Sequence, residues 1–212
     1  MEKGWFITFE GCDGCGKTTC ISKVEKLLAE RNIDHILTRE PGGSRIAEDI
    51  RKIILDKRNT EEDPRTEALL YAASRRQHLV EIVLPALKEG KIVLCDRYLD
   101  SSLAYQGYAR GIGIDAVLGI NSFAIESTMP DITFFLDLSP EEGLKRIQSR
   151  KRESDRLDQE KLSFHKKVYE GYQIVNGMFS DRIVKIDASR SPDEMAGEVF
   201  KILLAKTGKQ HG

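Results

Sequence analysis

This chain predicts an α/β fold of three layers, a five-stranded parallel sheet with helices on both faces. Short apolar runs alternate with longer segments whose apolar residues recur at helical spacing, the pattern of successive βαβ units. The runs are near-continuous in apolar residues, as in Ile92-Val93-Leu94-Cys95, which suits strands covered on both sides. No repeat or low-complexity linker divides the 212 residues. A single domain over 1–206 is therefore expected, followed by a polar tail at 207–212.

The first strand is Trp5–Glu10, and the helix after it is Lys17–Arg31, where Ile21, Val24, Leu27 and Leu28 share a face. His35–Arg39 is the second strand, and Glu40-Pro-Gly-Gly43 is a turn leading to a helix at Arg45–Leu55. A long helical pattern covers Arg65–Leu87, and Lys91–Cys95 is the third strand. Helices at Asp100–Tyr108 and Asp115–Ser127 precede a strand at Ile132–Asp137. Ser139-Pro140-Glu141-Glu142 starts a helix, with Pro at its first position, that runs over Glu141–Lys151. Asp158–Gly177 is helical, Arg182–Ile186 is the last strand, and Pro192–Ala205 the last helix.

Thirty-three basic residues against 34 acidic ones leave a net charge of −1, so no electrostatic footprint for nucleic acid or an anionic membrane is expected. No apolar stretch approaches the length of a bilayer span, and the chain enters a strand at once, so a cytoplasmic protein is expected. Cys12 and Cys15 have C-x-x-C spacing, but no second such pair or His pair follows, which argues for reduced thiols over zinc.

Gly11–Thr18 reads GCDGCGKT and fits G-x-x-x-x-G-K-[ST] between a strand and a helix. Glycines at these offsets let backbone N–H groups point at phosphate oxygens, and the helix N-terminus adds positive charge. The expected triphosphate contacts are Gly11, Cys12, Asp13, Gly14, Cys15, Gly16, Lys17, Thr18 and Thr19. Lys17 would reach the β- and γ-phosphates and the Thr18 hydroxyl would ligate Mg²⁺. The fold is thus that of a P-loop NTPase, whose ligands gather beyond the carboxyl ends of the strands. Those ends deliver Gly11–Thr18, Arg39–Gly43 and Asp96-Arg97-Tyr98.

Asp96 would sit near Mg²⁺, and the Arg97 guanidinium could hold two phosphates at once; alternatively the two residues form an ion pair bracing the strand end. Tyr71, Arg75 and His78 lie on one helix face, either a base clamp of ring and cation or a surface pair beside a core histidine. The basic run Lys145, Arg146, Arg150, Lys151, Arg152 and Arg156 reads as a solvated helix or as a mobile lid (about 145–158) that brings cations to the transferring group.

Five segments of this sequence resemble the thymidylate kinases of the bacterial type: Phe9–Thr19, Arg39–Gly43, Leu70–His78, Asp96–Gly107 and Asp155–Asp158. The run from Asp96 to Gly107 is the most specific. The resemblance implies transfer of the ATP γ-phosphoryl group to dTMP with Mg²⁺, and a homodimer. It implies a stacking role for Tyr71 and a thymine-edge contact for Arg75, with Ser102 and Gln106 near the base. Tyr105 would crowd C2′ of the sugar, Arg51 and Arg97 would bind the acceptor phosphate, and Asp13 would sit by its 3′-hydroxyl. The catalytic set is then Lys17, Arg97, Asp13 and the lid arginines Arg150, Arg152 and Arg156, with Thr18 and Asp96 at the metal. Tyr71 replaces the usual Phe, and Ser74 replaces a common acid.

Rival readings are a monophosphate kinase for another base, a regulatory GTPase, and a nucleic-acid-binding ATPase. The first is weakened by Asp13, where adenylate kinases carry Pro; the second lacks an N/TKxD element; the third conflicts with the near-zero charge.

Overall fold

Strand β1, Trp5–Glu10, is the centre of the sheet in this computed structural model, which describes residues 3–148 and 160–208. The elements that follow are α1 (Lys17–Ala29), β2 (His35–Arg39), α2 (Arg45–Leu55), α3 (Pro64–His78), a π-helical segment Leu79–Val83, and α4 (Leu84–Lys88). Then come β3 (Ile92–Asp96), α5 (Leu99–Ser102), a second π-helical segment Leu103–Ala109, and α6 (Ile114–Ile125). Strand β4 (Ile132–Asp137), α7 (Pro140–Gln148), α8 (Leu162–Met178), β5 (Ile183–Asp187) and α9 (Pro192–Thr207) complete the described chain. The five strands are parallel in the order β2-β3-β1-β4-β5.

Alternation along β1 splits the core in two. Ile7 and Phe9 join a cluster with Cys20, Val24 and Leu28 of α1 and Met195, Val199 and Leu203 of α9. Phe6 faces the other way, into a cluster with Leu79, Tyr98, Leu103 and Val175. Burial of both faces explains why the strands read as continuous apolar runs.

Several boundaries differ from the sequence reading for identifiable reasons. β3 extends through Asp96 because Asp96 pairs with both Phe9 and Arg39. β5 lies one residue later than expected, at Ile183–Asp187. The pattern over Arg65–Leu87 is not one α-helix. Pro85 has no N–H to give, and Leu84 N reaches back five residues to the Leu79 carbonyl, closing a π turn. Asp63 caps α3 by accepting from the Arg65 and Thr66 amides, which sets its start at Pro64. The Lys161 backbone is extended, so α8 begins at Leu162 rather than Asp158. Helix α9 runs to Thr207, past the expected start of the tail, and Gly208 closes it with φ +68°.

Candidate active site

The loops after β1, β2 and β3 converge on one cavity of about 310 Å³. Its lining includes Asp13, Gly14 and Gly16 to Thr19 from the first loop, Arg39 to Pro41, Arg51 and Leu55 after β2, and Asp96, Arg97, Ser101, Tyr105 and Gln106 after β3, with Tyr71 and Ile147. The loop curls because Gly11, Gly14 and Gly16 all hold positive φ. At Gly14 (φ +80°) a Cβ would also run into the Gly143 carbonyl at the start of α7, so only glycine fits. Lys17 Nζ donates to the Gly11 carbonyl at 2.9 Å.

The Cys12 and Cys15 thiols do not share a site. Cys12 packs with Tyr105, Phe135 and Tyr172, while Cys15 packs with Ile7 and Phe9 on the opposite face of the sheet. Burial raises the Cys12 thiol above its ordinary range and pushes Cys20 to about 12.

Arg97 is the hub. Its NH1 donates to the Gly11 carbonyl (3.2 Å), Ser101 Oγ (3.2 Å) and Tyr172 OH (3.1 Å), and its NH2 to Asp13 Oδ1 (2.5 Å). Tyr105 OH donates to the other oxygen of Asp13 at 2.8 Å, and the Arg97 guanidinium lies 5.2 Å from the Tyr105 ring. Burial works against the Asp13 charge, but Arg97, then Lys17, the Tyr105 hydroxyl and His165 hold its carboxyl down at about 2. The ion pair that forms is therefore Arg97–Asp13 rather than Arg97–Asp96. Asp96 Oδ1 is buried with no hydrogen-bond partner, and Thr18 is exposed at the same cavity. A carboxylate and a threonine hydroxyl lining one cavity are oxygen donors of the kind a hard cation such as Mg²⁺ takes.

Two residues expected at the base are buried away from the cavity surface. Arg75 and Ser102 are each 1 % exposed. Arg75 donates to Glu40 Oε2 (2.7 Å), to Asn121 Oδ1, and to the Tyr98 carbonyl and Ser102 Oγ at 3.0 and 3.1 Å. That occupies four of its five N–H groups. Tyr71 is half-buried at the cavity, so the two do not form a surface pair. His78 is fully buried, with Nδ1 on Glu40 Oε1 at 2.9 Å and Nε2 on Thr38 Oγ1 at 2.7 Å. Gln106 gives its amide N–H to the buried Glu67 at 2.8 Å. Arg51 donates to the Pro41 carbonyl at 2.7 Å. Of the basic run, Lys145 is exposed and Arg146 donates to the Ala188 carbonyl, while Arg150, Arg152 and Arg156 lie outside the described residues.

Sequence reasoning missed Glu10, Glu40, Tyr172 and His165. His165, at the start of α8, is 2 % exposed with Nε2 unpartnered and helps hold the Asp13 carboxyl ionised. Glu10 is buried under the phosphate loop, where burial, then the charge of Asp100, pushes its carboxyl up to about 7 against Arg97, Ser101 and Tyr98. Glu10 and Glu40 stand within recognisable segments, but Tyr172 and His165 carry no local signal.

The family model described as thymidylate kinase matches residues 9–199. A thymidylate kinase of Geobacillus sp. (strain WCH70) is 61% identical over 194 residues, covering 91% of this chain and 92% of its own. One from Clostridium novyi (strain NT) is 60% identical over 200 residues, covering 94% and 98%. The crystal structure of thymidylate kinase from Ehrlichia chaffeensis superposes with a TM-score of 0.75 at 32% identity, covering 95% of this chain and 98% of that one. With this match on the same segments that build the cavity, the chain belongs to the thymidylate kinase family.

Proposed function

We propose that the protein transfers the γ-phosphoryl group of ATP to dTMP, giving dTDP and ADP. The observation that carries this reading is a cavity that joins a phosphate loop to Tyr71, Tyr105 and Gln106 across Arg97. The acceptor is a phosphate monoester, already anionic at neutral pH because its second pKa is about 6, so no general base is needed. The work left to the chain is alignment and charge screening. Lys17 binds the β- and γ-phosphates. Arg97, fixed between the Gly11 carbonyl and Asp13, bridges acceptor and donor, and Arg51 holds the acceptor phosphate. Asp13, kept ionised, takes the 3′-hydroxyl of the acceptor. Tyr71 stacks on the base, Gln106 meets its edge, and Arg75 and Ser102 act on it from the buried layer behind. Tyr105, pinned by Asp13, stands against C2′.

Thr18 and Asp96 would hold Mg²⁺, which when bound neutralises charge on the phosphates. Arg150, Arg152 and Arg156 are assigned to transition-state charge as a lid over about 145–158. Residues 1–206 act as one catalytic domain. A cytoplasmic setting agrees with the finding that no helix among the described residues is long and apolar enough to cross a membrane.

A homodimer is supported by three adjacent helices with apolar side chains turned outward. Ile53 of α2, Leu69 of α3 and Phe123 of α6 are 50%, 56% and 88% exposed. Such a face is typical of an association surface.

A coupled assay of ADP formation against a panel of nucleoside monophosphates tests the activity. Preferential turnover of dTMP with ATP and Mg²⁺ is expected. No turnover of dTMP, or equal turnover of all monophosphates, would overturn it.

A further inference from the structure

Glu10 has no part in the mechanism above, yet four protein donors converge on its carboxyl. It ends β1 on the face opposite Phe9, and it is 1 % exposed. Its Oε1 accepts from Tyr98 N at 2.8 Å and Ser101 N at 3.3 Å, and its Oε2 from Ser101 Oγ at 2.5 Å and Tyr172 OH at 2.9 Å. These donors are not scattered. Tyr98 is the residue after Arg97, and the two hydroxyls that donate to Glu10 are the same two that accept from Arg97 NH1. A hydroxyl has one proton and two lone pairs, so a hydroxyl whose proton goes to Glu10 can present a lone pair to a cation, and the two hydroxyls also meet each other at 2.8 Å.

We propose that Glu10 is a positioning residue for phosphoryl transfer: through the Ser101 and Tyr172 hydroxyls, its carboxylate fixes the Arg97 guanidinium where acceptor and donor phosphates meet. The proposal rests on the bridging role given to Arg97. Glu10 itself touches no substrate. Replacing it with Gln keeps the shape but removes the charge, and the new amide nitrogen, taking the Oε2 place that both hydroxyls share, leaves both without their acceptor. Arg97 then loses the fixed lone pairs that hold it.

Parent, Glu10→Gln, Arg97→Ala and the double variant are assayed with ATP and dTMP for kcat and both KM values. We expect Glu10→Gln to lower kcat by roughly 10- to 100-fold with each KM within about threefold, the pattern of a group that acts in the transition state. In the Arg97→Ala background the same change should cost less than about threefold, because coupled residues are not additive. A Glu10→Gln enzyme with kcat near the parent's, a loss confined to KM, or an undiminished loss in the Arg97→Ala background would overturn the proposal. Tyr172→Phe, which removes one link and keeps the ring, serves if Glu10→Gln does not fold; its kcat loss should be smaller and should vanish without Arg97. Its retention of parental kcat, or a loss that persists without Arg97, would overturn the proposal in that case. An inactive parent or a fully active Arg97→Ala would refute the activity or the Arg97 role, and this proposal with it; failure of the Glu10 and Tyr172 variants alone leaves that activity standing.

Discussion

Arg97 holds a φ of +70°, in the left-handed region that a residue with a Cβ enters at a cost of about 1–2 kcal/mol. The strain is over-determined: its amide donates to the Phe9 carbonyl at 2.9 Å, and its guanidinium is held at four points. Such a conformation aims the side chain back over the phosphate loop instead of along the strand. Arg97→Ala should therefore reduce kcat by about 10³-fold or more while the KM for ATP changes little, as steady-state kinetics would read. Asp13, its partner, makes a pH-dependent contribution of definite sign. Its carboxyl sits at about 2 in the folded protein against the usual 3.8. That depression stabilises the fold above the unfolded value and is lost as pH falls through about 2, an effect of roughly 2 kcal/mol. Urea denaturation of the parent and Asp13→Asn should show a stability gap that shrinks from pH 6 to pH 2. A constant gap would mean the carboxyl is not held down. Glu10, raised to about 7, has the opposite sign and loses its contribution as pH rises toward that value.

The second π-helical segment, Leu103–Ala109, carries Tyr105 and Gln106 into the cavity. A wider turn shifts the phase of the side chains that follow it. Nothing in a string of apolar and polar residues separates a 4.4-residue turn from a 3.6-residue one, so the sequence reads as ordinary helix there. Helix α8 packs close against this segment because Gly171 has no Cβ; one would stand 2.9 Å from the Ala104 carbonyl. That close approach brings Tyr172 to Arg97, and it explains why Tyr172 is invisible before folding. The start of α9, expected and found at Pro192, rests on local chemistry. Ser191 accepts from the Glu194 amide while Glu194 returns to the Ser191 amide. Ser191→Ala should cost about 1 kcal/mol and lower Tm by roughly 2–4 °C, measured by calorimetry. An unchanged Tm would mean that solvent satisfies the amides of α9 as well as the cap does.

Over the whole molecule, the face formed by α2, α3 and α6 is where the proposed dimer would close. Phe123, 88% exposed, stands out on α6. Phe123→Glu should convert a dimer to a monomer in sedimentation velocity, since a charge at a closing apolar face is costly to bury. A parent that sediments as a monomer would dispose of the dimer altogether. The opposite face is already closed, with α1 and α9 packed over Ile7, Phe9 and Leu94, and this asymmetry gives the helical layers different tasks.

By itself the sequence determined the strand–loop–helix around Gly11–Thr18, the parallel sheet, and the meeting of three strand ends. These follow from short-range causes: glycines that tolerate positive φ, periodicity that selects strand or helix, and a topology that sends each crossover over the sheet. Tertiary structure alone decided which charges pair. Arg97 reaches Asp13 across 84 residues and Tyr172 across 75, and Arg75 is drawn into a buried pair with Glu40. A buried charge is stable only with a partner in place, and no residue's own neighbourhood says which distant segment will supply it.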